Sequence, residues 1–163
     1  AGVLTLLGAA LFSERSSAVS IGETPPDFEL QTYSGETVRT ESIRGKIILI
    51  NFWSSWCTTC DEEALMLQEV WSDLQSSGNG EVVFLGVAYM DTEPDSLKFL
   101  KTYGVTYPNG PDLRGEISKH YQVSSVPETY ILDAEGILRV IKIGPFISTD
   151  EIYRAIEAAA SGN

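Results

Sequence analysis

Cys57 and Cys60 are the only two cysteines of the chain and stand three positions apart. A disulfide across so short a loop removes little entropy from the unfolded chain and contributes little stability. A disulfide scaffold would instead space its cysteines to join distant loops. The pair is therefore read for its chemistry, which at C-x-x-C spacing is cycling between dithiol and disulfide.

That chemistry needs particular surroundings. Residues 46–53 form a dense apolar, β-branched run that reads as a strand buried on both faces. A short loop follows, and a helix is expected from the cysteines to about Gln75, closed by Ser76-Ser77-Gly78-Asn79-Gly80. Cys57 then sits at a helix N-terminus, where unpaired N–H groups and the helix dipole favour thiolate over thiol. Cys60 lies about one turn further on, placed to attack a mixed disulfide formed at Cys57. Two other readings exist. Structural zinc needs four ligands, and the chain offers two cysteines and one distant histidine, His120. An inert buried pair does not explain the position at a strand-to-helix turn beside Trp53 and Trp56.

Three acids follow the pair: Asp61, Glu62 and Glu63. All three suit a helix N-terminus. At about 100° per residue, Glu63 falls inside the apolar arc of Cys60, Ala64, Leu67, Val70, Trp71 and Leu74, whereas Asp61 and Glu62 point away. A carboxyl on that face is expected to have a raised pKa and to exchange a proton with a nearby thiol; helix capping is the rival role. Trp53 and Trp56 read as aromatics packed around the motif, and Asp91 as a turn residue.

The remaining elements frame the pair. A β-hairpin is expected from Phe28-Glu29-Leu30 and residues 36–40 about the turn Tyr33-Ser34-Gly35. Residues 82–89 read as a second buried strand and residues 95–103 as a helix ended by Gly104. A loop containing Pro108, Gly110 and Pro111 leads to a short helix near residues 115–121. Pro127 introduces the strand 129–132, which a Gly-containing turn joins to the strand 137–141 as a second hairpin. Thr149 or Asp150 caps a closing helix. Strands linked through helices and ending in an antiparallel pair predict an α/β fold with a mixed central sheet.

Composition bounds the rest. The chain of 163 residues fits one domain plus a short extra segment. Lys and Arg number 11 against 23 Asp and Glu, a net charge of −12 that argues against nucleic acid or anionic lipid as partner. Residues 1–12 carry no charge and are mostly apolar, followed by polar linker chemistry up to Pro25-Pro26. Twelve residues fall short of the about 20 needed to span a bilayer. They match the end of a signal anchor or the apolar core of a signal peptide, so the expected division is 1–24 as signal or anchor and linker, and 25–163 as the domain.

The segment Asn51-Phe52-Trp53-Ser54-Ser55-Trp56-Cys57-Thr58-Thr59-Cys60 resembles the active-site segment of thioredoxin-like proteins of the TlpA/ResA/DsbE type. The likeness extends to Pro26-Asp27-Phe28-Glu29-Leu30 and to Val126-Pro127-Glu128-Thr129-Tyr130-Ile131-Leu132-Asp133, and covers roughly residues 25–160. It implies a thioredoxin-like fold with an N-terminal β-hairpin. It implies an extracytoplasmic, membrane-anchored thiol–disulfide oxidoreductase, several of whose relatives serve cytochrome c maturation. It assigns Cys57 and Cys60 to exchange and a functional role to Glu63. It also implies a cis peptide before Pro127 in a loop facing the cysteines, where sequence alone allows an ordinary turn proline. Val126 and Pro127, with Trp56, would then hold the partner, Val126 through backbone pairing with a substrate strand. The expected partners are a protein disulfide substrate, such as apocytochrome c, and an upstream dithiol electron donor. No organic cofactor or metal is called for. Thr58-Thr59 departs from relatives with proline between the cysteines.

Two alternatives compete. A thiol peroxidase usually places Thr three residues before its reactive cysteine; here Ser54 holds that place before Cys57. A copper metallochaperone of related fold would use C-x-x-x-C spacing and a well-placed histidine, neither of which is evident.

Overall fold

The computed structural model describes residues 19–78 and 80–162, so the readings made of residues 1–12 lie outside the described residues. Within them, strands β1 (Glu29–Gln31) and β2 (Thr37–Arg39) form an antiparallel hairpin. Five further strands build one mixed sheet: β3 (Ile47–Trp53), β4 (Val82–Ala88), β5 (Asn109–Pro111), β6 (Glu128–Leu132) and β7 (Leu138–Ile143). Their order is β5-β4-β3-β6-β7, with β3 parallel to β4 and antiparallel to β6. Helices α1 (Thr58–Ser76), α2 (Glu93–Thr102), α3 (Glu116–Tyr121) and α4 (Thr149–Ala160) complete the fold.

Strand β3 is central because both of its faces are apolar. Side chains alternate across a strand, so Ile48, Ile50 and Phe52 meet Phe28, Leu30, Ile117 and Tyr121 from the hairpin and α3. Leu49 points to the opposite layer, among Leu67, Val70 and Leu74 of α1 and Ile152 and Ile156 of α4. Phe52 is fully buried, and a side chain of that size contributes about 2 kcal/mol through burial. The same alternation sends Asn51 toward α1, where a polar side chain must find partners.

Three details depart from the sequence expectation. The segment at Asn109, read as loop, is strand β5 at the sheet edge, parallel to β4. Glycine and proline hide it in the sequence, yet tertiary contact demands the glycine. A Cβ on Gly110 would stand 2.2 Å from the Gln31 carbonyl oxygen, and one on Gly86 would stand 1.7 Å from Asn109 Oδ1. The cap of α4 is Ser148, whose hydroxyl accepts from the Glu151 N–H at 3.2 Å, just before the two expected caps, Thr149 and Asp150. Finally, Gly22 and Glu23, in the linker-like stretch, exchange backbone hydrogen bonds of 2.8 Å with Leu138. Among the described residues, no helix is long and apolar enough to cross a membrane.

Candidate active site

The site lies where β3 ends and α1 begins. Cys57 is the N-cap of α1, in extended conformation, and Cys60 occupies the first turn. The two are joined as a disulfide with Cα atoms 5.3 Å apart. Both are nearly covered, Cys57 at 7% exposure and Cys60 at 2%, and they pack with Trp53, Ala64, Ala88 and Phe99. Trp53 stacks on Phe99 with ring centroids 4.4 Å apart, and its indole N–H donates to Asn109 Oδ1 at 2.8 Å. The floor under the disulfide is thus an aromatic pair tied to the edge strand β5. Trp56 behaves differently: it is 60% exposed, and its indole N–H donates to the Met90 carbonyl at 3.1 Å.

Two segments meet Cys57. The sulfur lies 3.5 Å from Thr59 Oγ1 and 3.6 Å from the carbonyl oxygen of Val126. The Val126–Pro127 peptide is cis, and the loop before β6 presents the Val126 carbonyl to the Cys57 sulfur. Its shape rests on Glu128, which is 1% exposed. Glu128 Oε1 accepts the backbone N–H groups of Ser124 and Ser125 at 3.1 and 3.0 Å, and Oε2 accepts the Tyr130 hydroxyl at 2.8 Å. The carboxylate thereby satisfies the polar groups of a tight loop that has no ladder of its own.

Glu63 is 1% exposed and lies on the buried side of α1, as the helical arc predicts. Its Oε2 accepts the Asn51 side-chain N–H at 3.0 Å, and its Oε1 accepts the Phe146 backbone N–H at 2.9 Å. Asn51 also donates to Thr129 Oγ1 at 3.0 Å, which joins β3, α1 and β6 through one amide. Burial pushes the Glu63 carboxyl up to about 7; the two hydrogen bonds and Lys142 pull the other way without winning. A carboxyl with its pKa raised toward neutrality therefore sits one helical turn beyond Cys60.

The structure brings Cys57, Cys60, Val126 and Pro127 together, with Trp56 at the rim and Glu63 behind. Sequence reasoning missed several supports. Asp91, expected to be a turn residue, accepts from Ser55 and Ser96 and so anchors the loop before Cys57. Asn51 had a visible signal, a polar residue inside a strand buried on both faces. Glu128 had one too, a charge opening an apolar strand. Phe146 contributes only its backbone, and no sequence signal announces that. His120 lies in α3 with Nδ1 buried and without a hydrogen-bond partner, and no group of three or more potential metal ligands occurs among the described residues.

Known proteins are similar to this chain in sequence and in fold. The model of the AhpC/TSA family matches residues 21–141. The thiol-disulfide oxidoreductase ResA of Geobacillus thermodenitrificans is 31% identical over 155 residues, covering 91% of this chain and 87% of that protein. Among solved structures, DsbF of Mycobacterium tuberculosis superposes with a TM-score of 0.73 at 29% identity, over 82% of this chain and 95% of that one. A secreted disulfide oxidoreductase of the same organism, homologous to E. coli DsbE, gives 0.69 at 28% identity, over 80% and 95% of the two chains.

Proposed function

Since the chain belongs to the AhpC/TSA family and is a thioredoxin-like thiol–disulfide oxidoreductase, we propose that it works as a reductase of disulfides in extracytoplasmic proteins. The observation that carries this reading is the Cys57–Cys60 disulfide lying against the Val126 carbonyl, with Glu63 buried one turn behind it. In the dithiol state, the Cys57 thiolate attacks one sulfur of the substrate disulfide. A Cys57–substrate bond forms, the substrate S–S bond breaks, and the departing sulfur takes a proton. Cys60 then gives its proton to Glu63 and attacks the Cys57 sulfur. The Cys57–Cys60 bond forms again as the Cys57–substrate bond breaks, the second substrate sulfur takes the proton held by Glu63, and the substrate leaves as a dithiol, having gained two electrons and two protons. A second dithiol protein restores the pair by the same exchange.

Val126 and Pro127 hold the substrate segment, Val126 through backbone hydrogen bonds to an extended chain. Trp56 extends that contact at the rim. Oxidised apocytochrome c is the substrate class that the relationship to ResA and DsbE suggests, and the apolar residues 1–12 would serve as tether to the outer face of the membrane. The peroxidase alternative is disfavoured by Ser54, which is fully buried and donates its hydroxyl to the Tyr89 carbonyl, so it is not free to meet a peroxide.

The test is the reduction potential of the Cys57–Cys60 couple, by equilibration in thiol buffers of known poise. A value at or below about −250 mV fits a dedicated reductase, whereas one near about −120 mV would make the protein a disulfide donor and overturn the proposal.

A further inference from the structure

We propose that Asp91 is a positioning residue for Cys57, holding the attacking sulfur in place when the disulfide is open. The loop from Trp53 to Trp56 is stitched residue by residue to the segment that follows β4. The Tyr89 N–H donates to the Trp53 carbonyl at 2.8 Å, the Ser54 hydroxyl donates to the Tyr89 carbonyl, and the Trp56 indole donates to the Met90 carbonyl at 3.1 Å. At Ser55 the tie is double. Asp91 Oδ2 accepts its backbone N–H and Oδ1 its hydroxyl, both at 2.8 Å. The same carboxylate accepts the Ser96 hydroxyl and the Thr92 N–H at 2.9 Å, so α2 in turn fixes Asp91.

Two further observations give this carboxylate a role beyond packing. Met90, just before it, has φ +46°, a left-handed conformation that a non-glycine residue keeps only where its surroundings hold it. The chain is turned there so that the Met90 carbonyl meets the Trp56 indole and the Asp91 carboxylate meets Ser55. In addition, the Cys57 N–H donates to the Ser54 carbonyl at 3.2 Å, so the anchored loop sets where Cys57 enters the helix. While the disulfide is closed, Cys60 also fixes Cys57. Once it opens, that covalent tie is gone. The distance of the sulfur from the first-turn N–H groups, and from Val126, then depends on the loop and hence on Asp91.

The inference rests on Cys57 as the attacking sulfur. It has a signature that separates position from charge. The titratable and charged groups on the elements around Cys57 include Asp61, Glu62 and Glu63 on α1, Asp91 after β4, Glu93, Asp95, Lys98 and Lys101 on α2, and Glu128 on β6. If Asp91 acted only by charge, its removal would favour the thiolate. If it acts by position, its removal misaligns the sulfur and disfavours the thiolate.

The experiment is the pH dependence of iodoacetamide alkylation of the reduced protein, with the modified cysteine identified by mass spectrometry. In Asp91→Ala the Cys57 midpoint is expected to rise by about half a pH unit, a roughly threefold loss of thiolate at a fixed pH below it. Asp91→Asn keeps an acceptor for the Ser55 N–H and is expected to stay nearer the parent. Ser55→Ala, which keeps the backbone bond, is expected to shift in the same direction by less, and decides the matter if Asp91→Ala does not fold. An unchanged or lowered midpoint in folded Asp91→Ala, or in Ser55→Ala where Asp91→Ala does not fold, overturns this inference alone. Alkylation of the parent first at Cys60 overturns the role of Cys57 and this inference with it.

Discussion

Glu63 Oε1 accepts the backbone N–H of Phe146, 83 positions away in sequence, at 2.9 Å. One carboxylate thus joins the helix carrying Cys60 to the segment between β7 and α4. That segment also lies against the cis-proline loop, since the Gly144 N–H donates to the Pro127 carbonyl at 2.9 Å. Protonation of Glu63 places an O–H among groups that are both donors in the present arrangement. The proton on Glu63 is therefore felt on both sides of the site.

Glu63→Gln is expected to change the dependence of stability on pH. The native carboxyl is raised to about 7 from an ordinary value of 4.5. Between those values the folded state binds more protons than the unfolded one, so stability falls as pH rises through the window. The contribution amounts to about 3 kcal/mol at most. Urea unfolding of the oxidised protein at pH 5 and pH 8 should show this decline in the parent and a flatter profile in the variant. Equal slopes would remove Glu63 as its source.

Replacing the cysteines singly should separate their roles. Cys60→Ser is expected to accumulate a covalent complex with a protein disulfide substrate, because nothing attacks the mixed disulfide at Cys57. Cys57→Ser is expected to form no such complex at neutral pH. Non-reducing electrophoresis reads both, and trapping by Cys57→Ser instead would reverse the assignment.

Trp56 is exposed and makes one side-chain hydrogen bond, so its loss should spare the fold. Trp56→Ala is expected to change stability by no more than about 0.5 kcal/mol. Its kcat/KM for a protein disulfide should fall about tenfold, the loss of roughly 1.4 kcal/mol of contact. Reduction of a small symmetrical disulfide should be much less affected. An equal loss on both substrates would place the effect of Trp56 on the cysteines themselves.

Glu128→Ala removes the acceptor for the Ser124 and Ser125 N–H groups and the Tyr130 hydroxyl. A stability loss of about 1–2 kcal/mol is expected from the lost hydrogen bonds to a charged acceptor, since Ser124 and Ser125 are exposed and the Tyr130 hydroxyl keeps the Tyr121 carbonyl at 3.0 Å. Amide exchange at Ser124 and Ser125 should accelerate more than exchange within β3. Uniform acceleration across the sheet would show that the loop has no local dependence on Glu128.

What the sequence by itself determined follows from period and type. The C-x-x-C spacing states the chemistry, the unbroken apolar run of β3 marks the sheet centre, and the helical arc places Glu63 on the buried side. These are local or periodic properties, carried by neighbouring residues. Tertiary structure alone decided the partners. Asn109–Pro111 becomes a strand because β4 offers an open edge, and its glycine fits because the Gln31 carbonyl comes close. Asp91 becomes an anchor because β3 and β4 run parallel and end side by side, bringing it to Ser55 across 36 positions. Phe146 reaches Glu63 through its backbone, which every residue type possesses and no sequence pattern distinguishes. Hydrogen bonds between distant segments depend on where the folded sheet brings the chain, and so they are settled only when it has folded.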